Sequence, residues 1–356
     1  KFGQVLRVLY PKGSYAPHGD IVGGTQWVSS PIKPYPKTLC LSYYLMFEKG
    51  FDFVKGGKLP GFFGTAPGEE FNKCRGGKEP AGDDCWSSRF MFRTDGAGEV
   101  YGYILPLNST QCDQCWTVCN PSDGQSLGRG LFWFKPGTWQ QVQQQVVLND
   151  PNESNGGFQV WVDGVKKADI GGLKMRTIPG LGINGIFFST FFGGGDPSWA
   201  TQKDVHAYFT DFSISEKCVG DQSMCPQGCN DKGTCNGGVC ECESGYSGSG
   251  CECQGCSSVS VSVEKQSCFS SGATYYLAIK NIGSKTINSI TMDINFGKGA
   301  YGVTVSKSWE MTVVSQTPTK LQVAIKQSIA PGATWDKAGF IAKPDMYPSF
   351  QVLQAS

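Results

Sequence analysis

Charge is scarce in this 356-residue chain: acidic and basic residues make up 17% of it, and 31 Lys and Arg against 30 Asp and Glu leave a net charge of +1. No block of five like charges occurs, so dedicated nucleic-acid binding is not expected. Histidine is scarcer still. His18 and His206 are the only two, too few for a zinc triad. No apolar run reaches 18 residues, and membrane insertion is not expected. Helical periodicity is nowhere sustained, which argues against an all-helical fold. The chain opens Lys-Phe-Gly-Gln rather than with a charged-then-apolar leader, and we expect a mature, secreted form.

Glycine, with 48 residues, aromatics at 12% and cysteine at 16 are plentiful. The first two favour strands and turns. An even and generous cysteine count suits a disulfide framework in an oxidising, extracellular setting. The sequons at Asn108 and Asn152, in polar, turn-rich stretches, are expected glycosylation sites of a secretory protein.

Composition divides the chain into three expected domains. Residues 1–217 carry runs such as TLCLSYYLMF, SRFMFR and GIFFSTFF between Gly, Pro, Asn and Asp, the pattern of an all-β jelly-roll sandwich. Residues 218–256 hold the densest cysteines and read as a small disulfide-stapled module. A zinc site is the rival reading there, but six thiols among turn glycines suit a stapled domain better. Residues 257–356 restart a β pattern, expected as a second small β-sandwich, with nine lysines against five acidic residues.

One hairpin gathers reactive side chains. Strand alternation puts Trp86, Ser88, Phe90 and Phe92 on one face and Ser87, Arg89, Met91 and Arg93 on the other. Beyond a turn at Asp95 to Gly98, Val100, Gly102 and Ile104 take the core face, so Tyr101 and Tyr103 join Ser87 and Arg89. Residues opposite each other share a face, which makes the loop three or five residues long. Either Tyr103 lies opposite Arg89, or Tyr101 lies opposite Arg93. An ordinary solvent-facing sheet could carry the same residues.

The stretches VLYPKGSYAP, KGGKLPGFFG, CWSSRFMFR, YGYIL and GIFFSTFFGG to DVHAYFTDFSIS resemble, in this order, polysaccharide lyase family fourteen. These are jelly rolls that cleave polyuronates such as alginate or glucuronan by elimination. The resemblance spans nearly all of residues 1–217 and implies a catalytic set of Lys58 (with Lys55 the alternative), Ser87, Arg89, Tyr101 and Tyr103. Elimination needs a donor to stabilise charge spreading into the uronate carboxylate, which suits Arg89. It also needs a base drawn toward working pH. Lys58 beside arginines qualifies, as would a tyrosine lowered by the same cations. Tyr101 or Tyr103 would protonate the departing O4, and Ser87 would orient the carboxylate or a hydroxyl. No metal or other cofactor is required. Arg93, His18, Trp199 and Lys203 are candidate substrate contacts, with Phe192 a further cleft or packing residue.

The insert between Lys58 and Ser87 is long, and we expect a Cys74–Cys85 bridge to pin it. Cys112, Cys115 and Cys119 compete locally for partners. Asp83 and Asp84 suggest the carboxylate pair of a glycoside hydrolase, but adjacent acids point apart. A non-catalytic matrix protein that kept its groove as a glycan-binding surface is the other rival to the lyase.

The spacing C-x3-C-x5-C-x4-C-x-C-x8-C from Cys225 to Cys251 resembles an epidermal-growth-factor-like module, which implies the pairs Cys225–Cys235, Cys229–Cys240 and Cys242–Cys251. The order YYLAIKNIGSKTINSITMDI, SWEM, SIAPGATWDKAGFI resembles the cellulose-binding modules of carbohydrate-binding module family forty-nine. That resemblance implies a strip formed by Tyr275, Trp309 and Trp335, at least one of them a core residue. The expected partners are thus an acidic polysaccharide and cellulose or another wall glucan.

Overall fold

The computed structural model describes the whole chain except residues 1–2, 18, 70, 72–73, 78, 113–115, 121, 219–231, 237–238, 244–245, 248–250, 252, 255–257, 270–271, 297–302 and 344–347. It separates into two compact units, residues 1–220 and 221–356.

The first unit is built from thirteen strands: β1 (Leu6–Tyr10), β2 (Thr25–Ser29), β3 (Thr38–Phe47), β4 (Gly56–Thr65), β5 (Cys85–Arg93), β6 (Ala97–Tyr103), β7 (Thr117–Val118), β8 (Gln125–Trp133), β9 (Gln140–Val147), β10 (Gly156–Val162), β11 (Val165–Leu173), β12 (Gly185–Phe192) and β13 (Val205–Ser215). They form a six-stranded sheet in the order β1-β13-β3-β9-β10-β11 and a seven-stranded sheet in the order β2-β12-β4-β5-β6-β8-β7. This is the expected β-sandwich. Strand β10 shows how sequence dictates it, since its buried residues, among them Phe158, Val160 and Val162, alternate with partly exposed ones.

The inner faces of both sheets supply one core. Trp86, Phe90 and Phe92 of β5 and Val100 of β6 meet Leu41, Tyr43, Leu45 and Phe47 of β3 and Val142 and Val146 of β9. Edge-on aromatic contacts fill one region, with Phe47 centred 5.3 Å from Phe92 and 5.6 Å from Phe134, distances that favour T-shaped pairs.

The turn between β5 and β6 sets the register of the reactive hairpin. Asp95 (φ 61°) and Gly96 (φ 84°) adopt left-handed backbone, and a side chain on Gly96 would run into the Phe134 carbonyl. The last pair is Phe92 with Gly98, so Arg89 faces Tyr101 and Ser87 faces Tyr103. This corrects both registers expected from sequence. Alternation set the faces correctly, but the five-residue turn Arg93–Ala97 shifts the pairing by two residues, because the left-handed pair sits at 95 and 96 rather than further on.

Three disulfides are described in this unit: Cys40–Cys218, Cys74–Cys85 and Cys112–Cys119. The first closes the longest loop, a sequence separation of 178, and loop-closure entropy assigns such a link roughly 5 kcal/mol.

The second unit holds a five-stranded sheet built on Val259–Phe269, Gly272–Asn281, Gly339–Lys343 and Thr304–Trp309, with Thr334–Trp335 paired to the second of these. A four-stranded sheet runs Thr312–Thr317, Lys320–Ile329, Ile287–Asn295, Ser349–Ala355. Leu277, Ile279 and Phe340 of the five-stranded sheet and Ile290, Met292 and Val323 of the four-stranded one are buried. Tyr275 is buried too and stacks on Phe340 with ring centroids 4.9 Å apart. It is therefore a core residue, not part of a sugar-stacking strip, because alternation along its strand turns it inward with Leu277 and Ile279. Trp309 and Trp335 are half-buried. Cys225 and Cys229 lie outside the described residues, as do the side chains of Cys235, Cys240 and Cys242, and Cys251 is disulfide-bonded. Among the described residues no helix is long and apolar enough to cross a membrane, which says nothing of strands.

Candidate active site

The outer face of the seven-stranded sheet carries a cavity of about 690 Å³ to which every strand contributes: Gln26 of β2, Phe191 of β12, Lys58 of β4, Met91 and Arg93 of β5, Tyr101 and Tyr103 of β6, Ser126 and Arg129 of β8, and Val118 of β7. Loop residues Arg75, Gly76, Asn120, Asp123 and Trp199 complete its walls.

Lys58 owes its place to the Leu-Pro-Gly sequence that follows. Pairing with β5 slips between Lys58, opposite Met91, and Gly61, opposite Arg89, and pairing with β12 slips over the same stretch. Pro60 lacks the N–H a regular ladder would use, and its carbonyl instead accepts from the Tyr43 hydroxyl of the opposite sheet at 3.1 Å. Gly61 allows β4 to lie close on β5, since a Cβ there would sit 1.9 Å from the Ser88 carbonyl oxygen. Leu59 thus enters the core while Lys58 points outward.

The Lys58 side chain is only 7% exposed. Its ammonium nitrogen lies 3.0 Å from Met91 Sδ and 3.5 Å from the centre of the Tyr101 ring, and no carboxylate among the described residues forms an ion pair with it. Burial, reinforced by the charges of Arg89 and Arg93, holds its pKa well below the ordinary lysine value. The tyrosines move the other way. Burial raises both Tyr101 and Tyr103 above the ordinary phenol value, and at Tyr103 the Arg89 charge only partly opposes it. The expectation that cations would lower a tyrosine into the range of a base is corrected by this burial.

Ser87 and Arg89 belong to the site without opening onto it. Both are fully buried. The Ser87 hydroxyl donates to the Cys74 carbonyl at 2.7 Å. Arg89 donates to Ser189 Oγ at 3.0 Å and to the Arg75 carbonyl at 3.3 Å, and its guanidinium lies 4.6 Å from the Phe187 ring and 5.3 Å from the Tyr103 ring. Neither lines the cavity. In this structure the Cys74 and Arg75 carbonyls of the insert pinned by Cys74–Cys85 take the donors of Ser87 and Arg89, so the Arg89 guanidinium does not face the cavity where a carboxylate was expected to meet it.

Trp199 and Arg93 do line the cavity, their groups 6.0 Å apart. Lys203 does not. Its ammonium donates to the Gly50 carbonyl at 3.0 Å, and Phe192 is buried in the core, leaving its neighbour Phe191 to face the cavity. Lys55 is held away by Ser198 Oγ at 2.5 Å. His18 lies outside the described residues. Asn108 and Asn152 are exposed.

Sequence reasoning missed Glu99, Ser126 and Arg129. Glu99 shares the odd-numbered face with Tyr101 and Tyr103, so carrying the alternation one step back along β6 would have found it.

Residues 1–212 match the family model described as Polysaccharide lyase 14. The chain belongs to that family. Among solved structures, this lyase-family chain is similar to the marine PL-14 alginate lyase of Aplysia kurodai, at 37% identity over 60% of this chain and 83% of that one, with a TM-score of 0.55. A Chlorella virus alginate lyase, vAL-1, is 23% identical over 60% of this chain and 85% of that one, with a TM-score of 0.49. No curated protein matches the chain.

Proposed function

We propose that the first unit is a polyuronate lyase, acting on alginate or glucuronan by metal-independent β-elimination. The observation that carries this reading is Lys58: a buried amine without a carboxylate partner among the described residues, under arginine charge, facing a cavity that also holds two protonated phenols. An amine so placed gives up its proton more readily than an ordinary lysine, and in its neutral form it can take one. Lys58 removes the C5 proton, the C5 electrons form the C4=C5 double bond, the C4–O4 bond breaks, and O4 takes a proton from Tyr101 or Tyr103. The surrounding guanidinium groups offset charge building on the uronate carboxylate. Ser87 and Arg89 are positioning residues, Arg89 through Tyr103.

The same reading makes the protein extracellular, with glycans on exposed Asn108 and Asn152, and gives the second unit the role of binding cellulose or another wall glucan through the half-buried rings of Trp309 and Trp335. Such tethering raises local concentration on an insoluble polymer.

The test is to incubate the full chain with a panel of polyuronates and follow ultraviolet absorbance. A C4=C5 double bond conjugated to the carboxylate absorbs, so growth of that band is the expected result. Chain cleavage without it would mean hydrolysis and overturn the mechanism. Retention on cellulose that survives high salt would support stacking, because screening weakens charge contacts and leaves stacking in place.

A further inference from the structure

Two cavity-lining guanidinium groups converge on one carboxylate. Glu99, fully buried on β6, accepts at Oε1 from Arg93 Nε at 2.8 Å, with Nη2 of the same ion pair 2.6 Å away. At Oε2 it accepts from Arg129 Nε at 2.7 Å and Ser126 Oγ at 2.5 Å. Burial alone would push its carboxyl up. The charges of Arg93 and Arg129 and the hydrogen bonds from Arg93 and Ser126 outweigh that and hold it below the ordinary glutamate value. It is therefore an ionised anchor held at both oxygens.

The balance of this cluster points at a ligand. Two cations meet one anion, so a positive charge remains. Arg93 keeps Nη1, and Arg129 keeps both Nη groups, without a hydrogen bond to the described residues, while both side chains line the cavity. Two long side chains fixed at one end with donors turned to a cavity have already lost much of the rotamer freedom that binding would otherwise cost. Such donors match planar carboxylates. Their places differ: Arg93 stands on β5 with its guanidinium 5.5 Å from the Tyr101 ring, next to Lys58, while Arg129 reaches in from β8. Strands β5 and β8 flank β6, so although both guanidinium groups meet at Glu99, Arg93 enters from the side of Lys58 and Arg129 from the side away from it.

We propose that Glu99 is a positioning residue that holds Arg93 and Arg129 as paired carboxylate readers, and that Arg129 is the specificity residue for the uronate beside the one undergoing elimination. This rests on the polyuronate reading above. It also explains how the cavity supplies the carboxylate contact that buried Arg89 does not.

The experiment uses the full chain carrying Arg129→Ala, Arg129→Lys, Glu99→Gln and the double variant Glu99→Gln/Arg129→Ala, assayed on a polyuronate and on its methyl ester. For Arg129→Ala, KM on the polyuronate should rise about tenfold, the worth of one charge-assisted hydrogen bond, with kcat changing far less. Arg129→Lys should recover part of the loss. Glu99→Gln should show the same KM-weighted defect, and the double variant should be little worse than the poorer single, since the two act as one unit. On the methyl ester these differences should vanish. An unchanged KM for Arg129→Ala, or an equal rise on ester and acid, would overturn the proposal, whatever becomes of Glu99→Gln. A purely structural Glu99 would lower Tm and kcat with no KM bias. The same substitutions are also measured by calorimetry as binding of a uronate oligomer to Lys58→Met. Weakened binding by Arg129→Ala without any elimination in the parent would retain the clamp and sink the lyase, and no binding by either form would sink both.

Discussion

The two faces of the β5–β6 hairpin are equally hidden from water and are stabilised in opposite ways. On the inner face Trp86, Phe90, Phe92 and Val100 are buried among other apolar groups, so each loses water and gains packing. On the outer face Ser87, Arg89 and Glu99 are just as buried, and Lys58 of the neighbouring β4 nearly so, yet each had to surrender strong hydration. Glu99 recovers it through two arginines. Arg89 recovers part, its Nε having no partner, and Lys58 recovers least. The lesson is that burial does not mark a core. A buried face whose charges are incompletely compensated is a liability to folding, and it survives where something other than stability selects it.

That contrast is open to being broken, and the largest expected effect is on the outer face. Lys58→Met removes the proposed base while keeping much of its volume. Elimination should fall by ~10³-fold or more, read as the initial slope of the ultraviolet band. Retained turnover would move the base elsewhere. The inner counterpart is Phe90→Ala, expected to cost ~3–5 kcal/mol of stability by denaturant titration. A loss below ~1 kcal/mol would mean that this core is not packed as described.

Smaller effects sharpen the comparison. Tyr101→Phe and Tyr103→Phe each remove one hydroxyl, and the one that donates to O4 should lower kcat by ~10²-fold with an unaltered melting curve. If both variants turn over normally, neither phenol is the acid. The smallest effect is a gain. Folding carries Lys58 from an ordinary amine to one with a depressed pKa, so the unfolded state binds the extra proton between the folded and unfolded values. Wild-type stability must therefore rise with pH across that window. Lys58→Met has no such slope, and should be more stable than wild type at neutral pH, with the difference closing as the pH rises toward the ordinary lysine value of ~10.5. A constant difference would deny the depressed pKa. By the same titration, wild-type activity should climb as Lys58 loses its proton and should not fall until the phenols ionise.

How much of this was legible beforehand follows from what each signal encodes. Period-two alternation carries face, and it placed Trp86, Phe90 and Phe92 inward and Arg89, Tyr101 and Tyr103 outward. Register depends on which turn residues take left-handed backbone, and the stretch Asp95 to Gly98 offers several. Parity alone therefore left two answers open, and the structure took a third. Lys58, with Lys55 as the alternative, was marked only by the family resemblance of the stretch around Leu-Pro-Gly; that the proline breaks the pairing of β4 and turns Lys58 to the cavity was visible only in the structure. Burial was less legible. Nothing local says that the segment from Cys74 to Gly76 folds over Ser87 and Arg89, since that contact joins residues brought together only by the disulfide and the strand pairing. Arg129 lies in a glycine-rich run whose alternation is interrupted at β8, so no periodic pattern pointed to the cavity.

The Cys40–Cys218 disulfide has a mechanical meaning. Strand β13 ends just before Cys218 and lies between β1 and β3, with Ser215 opposite Cys40. A tug on the chain beyond residue 218 would otherwise peel β13 from its neighbours one hydrogen-bonded pair at a time, as a zip opens. The covalent link intercepts that load at the first link and delivers it to β3, which is held on both sides by β13 and β9. If the second unit binds a wall glucan as proposed, the first unit would in this way be kept out of the line of force when the tail is pulled. Pulling single molecules with and without a reductant would reveal the difference as the tension at which the first unit gives way.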